Sequence, residues 1–172
     1  VEELVDPEAN GIPKMDKAFL FRYYPNIESA NPIPQGRSHM VYHMINSPRQ
    51  LEEKMTLLWH TIFATGYAKV DSTTDEITQL EMFRAKGLGN YKDLLVELSK
   101  DPAMIFWLDN NFNHKDEPNE NWGRELLELF SMGQGNYSEQ DVFECARAFT
   151  GWTIAPKPPR FPMGRHVRWN FE

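Results

Sequence analysis

The sequence contains a single cysteine, Cys145, and too few basic residues to balance its acidic ones. One cysteine cannot form an internal disulfide or a multi-cysteine zinc site. With 18 Lys+Arg against 25 Asp+Glu, the formal charge is −7, which argues against a general nucleic-acid-binding protein. No apolar run reaches the roughly 18 residues that predict a membrane-spanning helix. P-loop, GxSxG, GxGxxG, EF-hand and CxxCH motifs are also absent, so P-loop phosphoryl transfer, serine-esterase chemistry and hydride transfer have no support.

The composition is that of a globular protein. Of the 172 residues, 41% are hydrophobic and 25% are charged, enough to bury a sizeable core. We expect residues 1–35 to be an irregular N-terminal segment, because its five prolines prevent a long helix. A second proline-rich, basic loop over 153–172 leads into the alternating sequence Arg168–Phe171, which is typical of a β-strand that is just beginning. We therefore expect the domain to continue beyond this chain.

Residues 36–152 carry the periodic pattern of a helical core. Apolar residues recur at helical spacings, and cap-forming residues stand between the periodic stretches. For the second helix the sequence predicts Ser47 as N-cap, Gln50 as its capping-box partner and Gly66 just past the end. We predict an all-α fold, a compact bundle of about six or seven short helices. The predicted helices cover residues 37–45, 48–65, 73–86, 91–98, 102–108, 119–132 and 138–150.

The densest polar cluster lies on the predicted helix 119–132. Glu120, Arg124 and Glu128 follow at spacings of four, so they share one helix face as acid, base and acid. One interpretation is structural: surface ion pairs, each stabilising the helix by roughly 0.2–0.5 kcal/mol. The other is functional: Glu125 as a metal ligand or general base, with Glu120 and Arg124 fixing an anionic or sugar-like ligand. Composition alone favours the structural interpretation.

His60 lies in a mostly apolar helical stretch. A histidine in such surroundings is more often a core or boundary residue, but it could also be a metal ligand or acid/base group that meets a carboxylate of the 119–132 helix. His39 and His43 have the i, i+4 spacing that can chelate a metal, although the acid of an HExxH motif is missing. Asp109 stands at a helix end, where it either turns the chain or serves as a ligand.

Several ordered sequence blocks point to one known family. They are Leu51–His60, Asp101–Met104, Leu108–Asn110, Asn119–Gly133, Tyr137–Val142 and Ala146–Trp152. Together they closely resemble the large bacterial family of uncharacterised proteins called domain of unknown function eighteen-hundred, over about residues 37–152. The resemblance implies a helical, exported protein, periplasmic or extracellular, of which this chain is a central fragment without a signal peptide. It also implies genes for sulfatase-like proteins nearby, but no established activity.

Two functions follow from the residues and the resemblance together. The first is a non-catalytic accessory or binding module for a sulfatase-like partner or an envelope polymer, with Glu120, Arg124 and Arg147 in buried structural salt bridges. The alternative is a metal-assisted or carboxylate-based hydrolase acting on an extracellular carbohydrate or sulfated substrate. A water-lined cleft containing His60 and Glu125 would favour the hydrolase. A dry, fully paired network would favour the accessory module.

The same few residues are the candidates for either function. The catalytic candidates are His60, Glu120 and Glu125. The ligand-binding candidates are Asp109, Asn119, Asn121, Arg124 and Arg147. A divalent metal, as a possible cofactor, would be held by His60, Asp109 and Glu125. The family pattern covers all of these residues but neither His39 nor His43, which weakens a metal site at that pair.

Overall fold

A computed structural model of the chain describes residues 2–16, 18, 22 and 32–154. The chain divides into two units, Val1–Trp107 and Leu108–Glu172. Among the described residues every regular element is helical, apart from an isolated β-bridge between His114 and Glu117. The predicted all-α fold is therefore confirmed. The predicted strand at Arg168–Phe171 lies outside the described residues, as does the proline-rich loop from residue 155 onward.

Helices of the first unit pack around an aromatic and aliphatic core. They are α1 (Glu2–Val5), α2 (Pro32–Asn46), α3 (Gln50–Ile62), α4 (Tyr67–Val70), α5 (Thr73–Lys86), α6 (Tyr91–Ser99) and α7 (Pro102–Trp107). Phe63 stacks on Phe83 of α5 with ring centroids 6.0 Å apart, and both side chains are fully buried. Leu94, Leu98 and Met104 add aliphatic side chains to this core. Helix α5 is central, since it contacts α2, α3, α4, α6 and α7.

The second unit contains a helix pair that a glycine allows to approach closely. Its elements are a 3-10 turn (Asn110–Phe112), α8 (Asn121–Glu128) and α9 (Glu139–Ala148). Trp122 and Val142 are buried, and the Trp122 ring meets the edge of the Phe149 ring at a centroid distance of 5.7 Å. A Cβ on Gly123 would lie 3.1 Å from the Val142 carbonyl oxygen. A larger residue at Gly123 would therefore push α8 and α9 apart.

Helix α2 begins earlier than predicted, at Pro32 instead of Arg37. Proline is tolerated in the first helical turn, because the N–H groups there have no helical acceptor. Pro32 and Pro34 therefore belong to the start of a helix, although the high proline content of residues 1–35 predicts an irregular segment. The predicted domain boundaries after residues 35 and 152 stay predictions.

The predicted caps of α3 are wrong. The helix begins at Gln50, and the Ser47 hydroxyl accepts a hydrogen bond from the Arg49 N–H over 3.2 Å. Such a local turn uses the same oxygen that a cap would need. Gly66 does not end α3, which stops at Ile62; it precedes α4 with an extended backbone at φ −157°.

Helix α8 is shorter than predicted, since it ends at Glu128 and not at Met132. Beyond that point the Met132 N–H bonds to the Leu127 carbonyl, five residues back, over 2.9 Å. Gly133 then adopts a left-handed conformation with φ +80°, which favours glycine and ends the turn. The widened hydrogen-bond pattern closes the helix before the apolar periodicity of the sequence stops.

Helix α9 begins with a capping box formed by Ser138 and Asp141. The Ser138 side chain accepts a hydrogen bond from the Asp141 N–H, and the Asp141 carboxylate accepts one from the Ser138 N–H over 2.8 Å. Replacing Ser138 with alanine should lower the free energy of unfolding by about 1 kcal/mol, because the helix loses an acceptor at its N-terminus. Urea denaturation followed by circular dichroism measures the change. Ser138→Thr keeps the acceptor and should lose much less; equal losses in both variants would contradict the capping role.

Candidate functional site

The first unit contains a pocket of about 210 Å³ against α5. Its apolar lining comes from Met40, Tyr67, Ile77 and Leu80, and its polar lining from His60, Thr65, Thr73 and Glu76. The sequence brings these residues from α2, α3, α4, α5 and the loop between α3 and α4. An apolar pocket with a few convergent polar groups is the usual form of a small-ligand site.

Three of the residues that line this pocket each carry a buried polar atom without a hydrogen-bond partner among the described residues. The atoms are Nδ1 of His60, Oγ1 of Thr73 and Oε1 of Glu76. Thr73 as a whole is only 3% exposed. Most buried polar groups in proteins are hydrogen-bonded, so three unpaired ones beside one pocket are unusual. Each of these atoms is closed off from solvent, so a molecule in the pocket reaches it only if a side chain moves.

The other oxygen of Glu76 is held in place within the protein. The Thr65 hydroxyl lies 2.8 Å from Glu76 Oε2 and 2.9 Å from Oε1 of Gln79, so its single hydrogen can be donated to either acceptor. Burial raises the pKa of the Glu76 carboxyl, although the bond from Thr65 and the charge of His60 oppose the rise. The raised pKa means that burial favours the protonated form of Glu76 relative to an exposed glutamate.

His60 lies in the pocket of the first unit with Glu76. The sequence-based expectation that it meets a carboxylate of the 119–132 helix concerns the other unit and stays a prediction. A role for Glu76 in the pocket is not evident from the sequence, because a glutamate three residues after Thr73 also fits the start of a helix. In the structure the N-cap is Ser72, whose hydroxyl accepts a hydrogen bond from the Asp75 N–H over 3.2 Å. Glu76 therefore has no capping role.

Several of the ligand-binding candidates in the second unit form hydrogen bonds that stabilise a loop. The Asn121 amide donates to the Asp109 carboxylate over 3.3 Å, and the Asn119 side chain accepts from the Asn121 N–H over 3.0 Å. Asp109 turns the chain with a left-handed φ of 59°. Asn113 has no signal in the sequence, but its buried side-chain amide donates to the Ala146 carbonyl over 2.8 Å and accepts from the Asn119 N–H over 3.0 Å. These bonds fix a loop backbone.

Arg124 pairs with two carboxylates at the surface. It lies 3.1 Å from Glu120 and 2.7 Å from Glu139, and the three side chains are 36%, 39% and 76% exposed. The pKa of Arg124 is raised by Glu139 first and by Glu120 next, and Arg124 lowers the pKa of Glu139. The predicted pairing of Glu120 with Arg124 is found. Glu128, the second acid predicted on the same helix face, does not pair with Arg124. It accepts a hydrogen bond from the Tyr137 hydroxyl.

The predicted salt bridges of Glu120, Arg124 and Arg147 exist, but they are exposed and not buried. Arg147 pairs with Glu144 over 2.8 Å, and the two side chains are 57% and 49% exposed. The helix faces that carry these residues are open to water, so their ion pairs are surface pairs of small energetic value. The buried network lies in the first unit instead.

That network is built on Glu53, which is 4% exposed. Arg84 donates to both of its carboxylate oxygens, with Nε 2.9 Å from Oε1 and Nη2 3.0 Å from Oε2. His43, fully enclosed, has Nδ1 3.5 Å from Glu53 and Nε2 3.9 Å from Glu81. Burial acts to raise the pKa of Glu53, but His43 and Arg84 outweigh it and lower the pKa overall. His43 thus lies beside the buried pair of Arg84 and Glu53.

No three His, Cys, Asp or Glu side chains of the described residues form a group that could hold a metal ion. His60 belongs to one unit, and Asp109 and Glu125 belong to the other. Their role as metal ligands stays a prediction. Glu125 is half-buried on α8.

Fold and site define a class: an all-α protein with a polar-edged pocket and, in its described residues, no metal-binding cluster. Within that class the model of the family described as "Protein of unknown function (DUF1800)" matches residues 6–169. The chain belongs to this family, as its sequence blocks predict. No curated protein and no solved structure matches it. None of the described helices is both long and apolar enough to cross a membrane.

Proposed function

We propose that this DUF1800 protein is an exported, non-catalytic accessory module that binds an envelope polymer and works beside a sulfatase-like partner. The observation that carries the binding role is the pocket of about 210 Å³, with apolar walls and the polar residues His60, Thr73 and Glu76 among its lining. A concave, mostly apolar pocket with a few polar groups is the usual form of a small-ligand site. Export and the partner are proposed from the family resemblance.

The charged candidates of the second unit support an accessory role over catalysis. A catalytic carboxylate needs a reacting atom within hydrogen-bond reach and gains most from a site that excludes water. Glu120 already accepts a hydrogen bond from Arg124, and both side chains are exposed to solvent. At such a surface, water weakens the electrostatic effects on which catalysis depends.

A hydrolase acting on an extracellular carbohydrate or sulfated substrate is the second candidate. One observation favours it: the carboxyl of Glu76, with its pKa raised by burial, lies near His60 in a pocket. General acids are tuned in this way. In that case Glu76 and His60, and not Glu120 or Glu125, would carry the proton transfers.

Binding and turnover can be measured in one experiment with the full chain. Purified protein is sedimented with insoluble envelope polysaccharide, and the supernatant is assayed for released sugar and sulfate. We expect the protein to sediment with the polymer and to release nothing. Arg124→Gln, which alters only the surface ion pairs with Glu120 and Glu139, should sediment equally well.

Two results would overturn the proposal. Release of sugar or sulfate that is abolished in Glu76→Gln would make the protein a hydrolase. Failure to sediment, together with capture of the protein by the immobilised sulfatase-like partner, would make it a protein-binding module. Export itself is tested by fractionating cells, where a cytoplasmic location of the chain would contradict that part of the proposal.

A further inference from the structure

We infer that Asp101 and Glu76 hold one proton between them, at the two ends of a buried hydrogen-bonded chain that has two alternative states. The chain runs from Asp101 through the side-chain amide of Gln79 and the hydroxyl of Thr65 to Glu76. Gln79 Nε2 lies 2.7 Å from Asp101 Oδ1, and Thr65 Oγ1 lies 2.9 Å from Gln79 Oε1 and 2.8 Å from Glu76 Oε2. Gln79 is fully buried, and Thr65 and Asp101 are 9% and 5% exposed. The inference does not depend on what the pocket binds.

With both carboxyls ionised, the chain lacks one hydrogen. Gln79 donates from Nε2 to Asp101, so its Oε1 can only accept, and an ionised Glu76 can also only accept. The Thr65 hydroxyl has a single hydrogen for these two oxygens. Whichever oxygen receives it, the other faces the Thr65 oxygen at 2.8 or 2.9 Å with no hydrogen between them, which is unfavourable. One added proton removes this conflict.

The added proton completes the chain at either end. In the first state Glu76 carries it and donates to Thr65, Thr65 donates to Gln79 Oε1, and Gln79 Nε2 donates to an ionised Asp101. In the second state Asp101 carries it and donates to Gln79 Oε1, after the amide has rotated to exchange its oxygen and nitrogen. Gln79 Nε2 then donates to Thr65, and Thr65 donates to an ionised Glu76. Between the states an O–H bond of Glu76 breaks and one of Asp101 forms, with no other covalent change.

A second proton gains no hydrogen bond within the chain. Once one proton is in place, every contact of the chain has a single donor and a single acceptor. A further proton would have to sit on an oxygen outside the chain, such as Glu76 Oε1, which has no hydrogen-bond partner among the described residues. The first proton is therefore bound more tightly than the second, and the two carboxyls titrate as a coupled pair.

Charged groups beside the chain bias the position of the proton. Burial raises the pKa of both carboxyls; the charge of His60 on α3 opposes the rise at Glu76, and the charge of Asp75 on α5 adds to it at both ends. Arg37 of α2 lines the pocket together with Glu76 and His60. A positive charge in the pocket favours the state in which Glu76 is ionised and Asp101 protonated. The chain thus links the charge at the pocket wall to the charge of Asp101.

Carbon-13 NMR titration of the full chain tests the shared proton. The carboxyl carbons of Asp101 and Glu76 are followed from about pH 3 to 9, a range that includes the ordinary pKa values of Asp, Glu and His. Both signals should change in two steps, at the same two pH values for the two residues. The ring signals of His60 report its own titration in the same sample. Independent single steps for Asp101 and Glu76 would contradict the inference.

Amide substitutions should fix the chain in one state each. Glu76→Gln places a neutral donor beside Thr65, as in the first state, so Asp101 should ionise more readily. Asp101→Asn places a neutral donor beside Gln79, as in the second state, so Glu76 should ionise more readily. Each change should weaken proton binding by the remaining carboxyl about tenfold, a fall of about one unit in its pKa. A rise in either pKa would contradict the two states.

Variants of Thr65 distinguish the chain from repulsion between two carboxylates through space. Thr65→Val removes the hydroxyl and keeps both carboxyls, whereas Thr65→Ser keeps the hydroxyl. The effect of Glu76→Gln on the pKa of Asp101 should persist in the Thr65→Ser protein and fall to less than half in the Thr65→Val protein. If Thr65→Val does not fold, Thr65→Ala allows the same comparison. An effect of equal size with and without the hydroxyl would overturn the inference.

Discussion

Replacing Arg84 with methionine should lower the free energy of unfolding by about 3–5 kcal/mol, because it leaves a buried carboxylate without its counterion. Glu53 is 4% exposed, and its two oxygens receive the Arg84 guanidinium at 2.9 and 3.0 Å. The nearby His43 contact, at 3.5 Å, is too long to replace these bonds. Urea denaturation at neutral pH measures the loss.

Two further variants show whether the lost stability comes from an uncompensated buried charge or only from removal of the arginine side chain. Arg147→Met breaks an exposed pair with Glu144 and should cost less than about 1 kcal/mol. The double variant Glu53→Met/Arg84→Met removes both buried charges and should recover most of the stability lost in Arg84→Met, since buried ion pairs can often be replaced by apolar side chains. If the double variant is no more stable than Arg84→Met alone, the uncompensated-charge explanation is wrong.

The second large effect is a pH dependence that depends on Asp101. Its carboxylate is 5% exposed and accepts hydrogen bonds from the Gln79 amide at 2.7 Å and the Met104 N–H at 3.2 Å. Burial raises the pKa of Asp101 to about 6 from 3.8, although these hydrogen bonds oppose the rise. The folded protein therefore retains the proton at pH values where the unfolded chain has lost it.

It follows that Asp101 stabilises the folded state fully below about pH 4, and that this contribution is lost as the pH rises through about 6. The difference between the folded and unfolded pKa corresponds to about 3 kcal/mol. Asp101→Asn stays neutral and keeps an acceptor oxygen, so it should be more stable than the wild type at pH 8 and about equal to it at pH 4. Denaturation of both proteins from pH 4 to 8 measures the difference.

A control of opposite sign is available at the start of α9. Bonds from the backbone and side chain of Ser138 lower the pKa of Asp141, so that carboxylate stabilises the folded state at neutral pH and less in acid. Asp141→Asn should therefore lose stability relative to the wild type at pH 8, where Asp101→Asn gains it. The free energies of unfolding of the wild type and of Asp101→Asn should therefore differ by an amount that changes between pH 4 and pH 8. A difference that stays constant over this range would contradict the raised pKa of the buried Asp101.

The helices of this protein are largely predictable from sequence because their signals are local. Asn90 and Ser138 cap the following helices through backbone N–H groups two or three residues away, as their positions suggest. The pair Glu120–Arg124 is equally local, at a spacing of four. The start of α2 is harder to predict, since proline at Pro32 fits both a helix start and an irregular segment.

Long-range pairs account for what sequence reasoning misses. Glu53 and Arg84 are 31 positions apart, and no periodicity within α3 or α5 indicates that they meet in the core. The second partner of Arg124, Glu139, is 15 positions away on another helix. The pocket likewise joins residues from Gly36 to Leu80, which only the folded arrangement of α2, α3, α4 and α5 brings together.

The pocket against α5 also connects ligand binding to folding. A molecule that binds the folded chain and not the unfolded one stabilises it by RT ln(1 + [L]/Kd), or about 2.7 kcal/mol at a hundredfold excess over Kd. The Thr73 hydroxyl, buried without a partner among the described residues, lowers the stability of the folded state. Thr73→Val should therefore melt at a temperature no lower than that of the wild type. The melting temperature of the intact protein consequently reports ligand binding with no assay of activity.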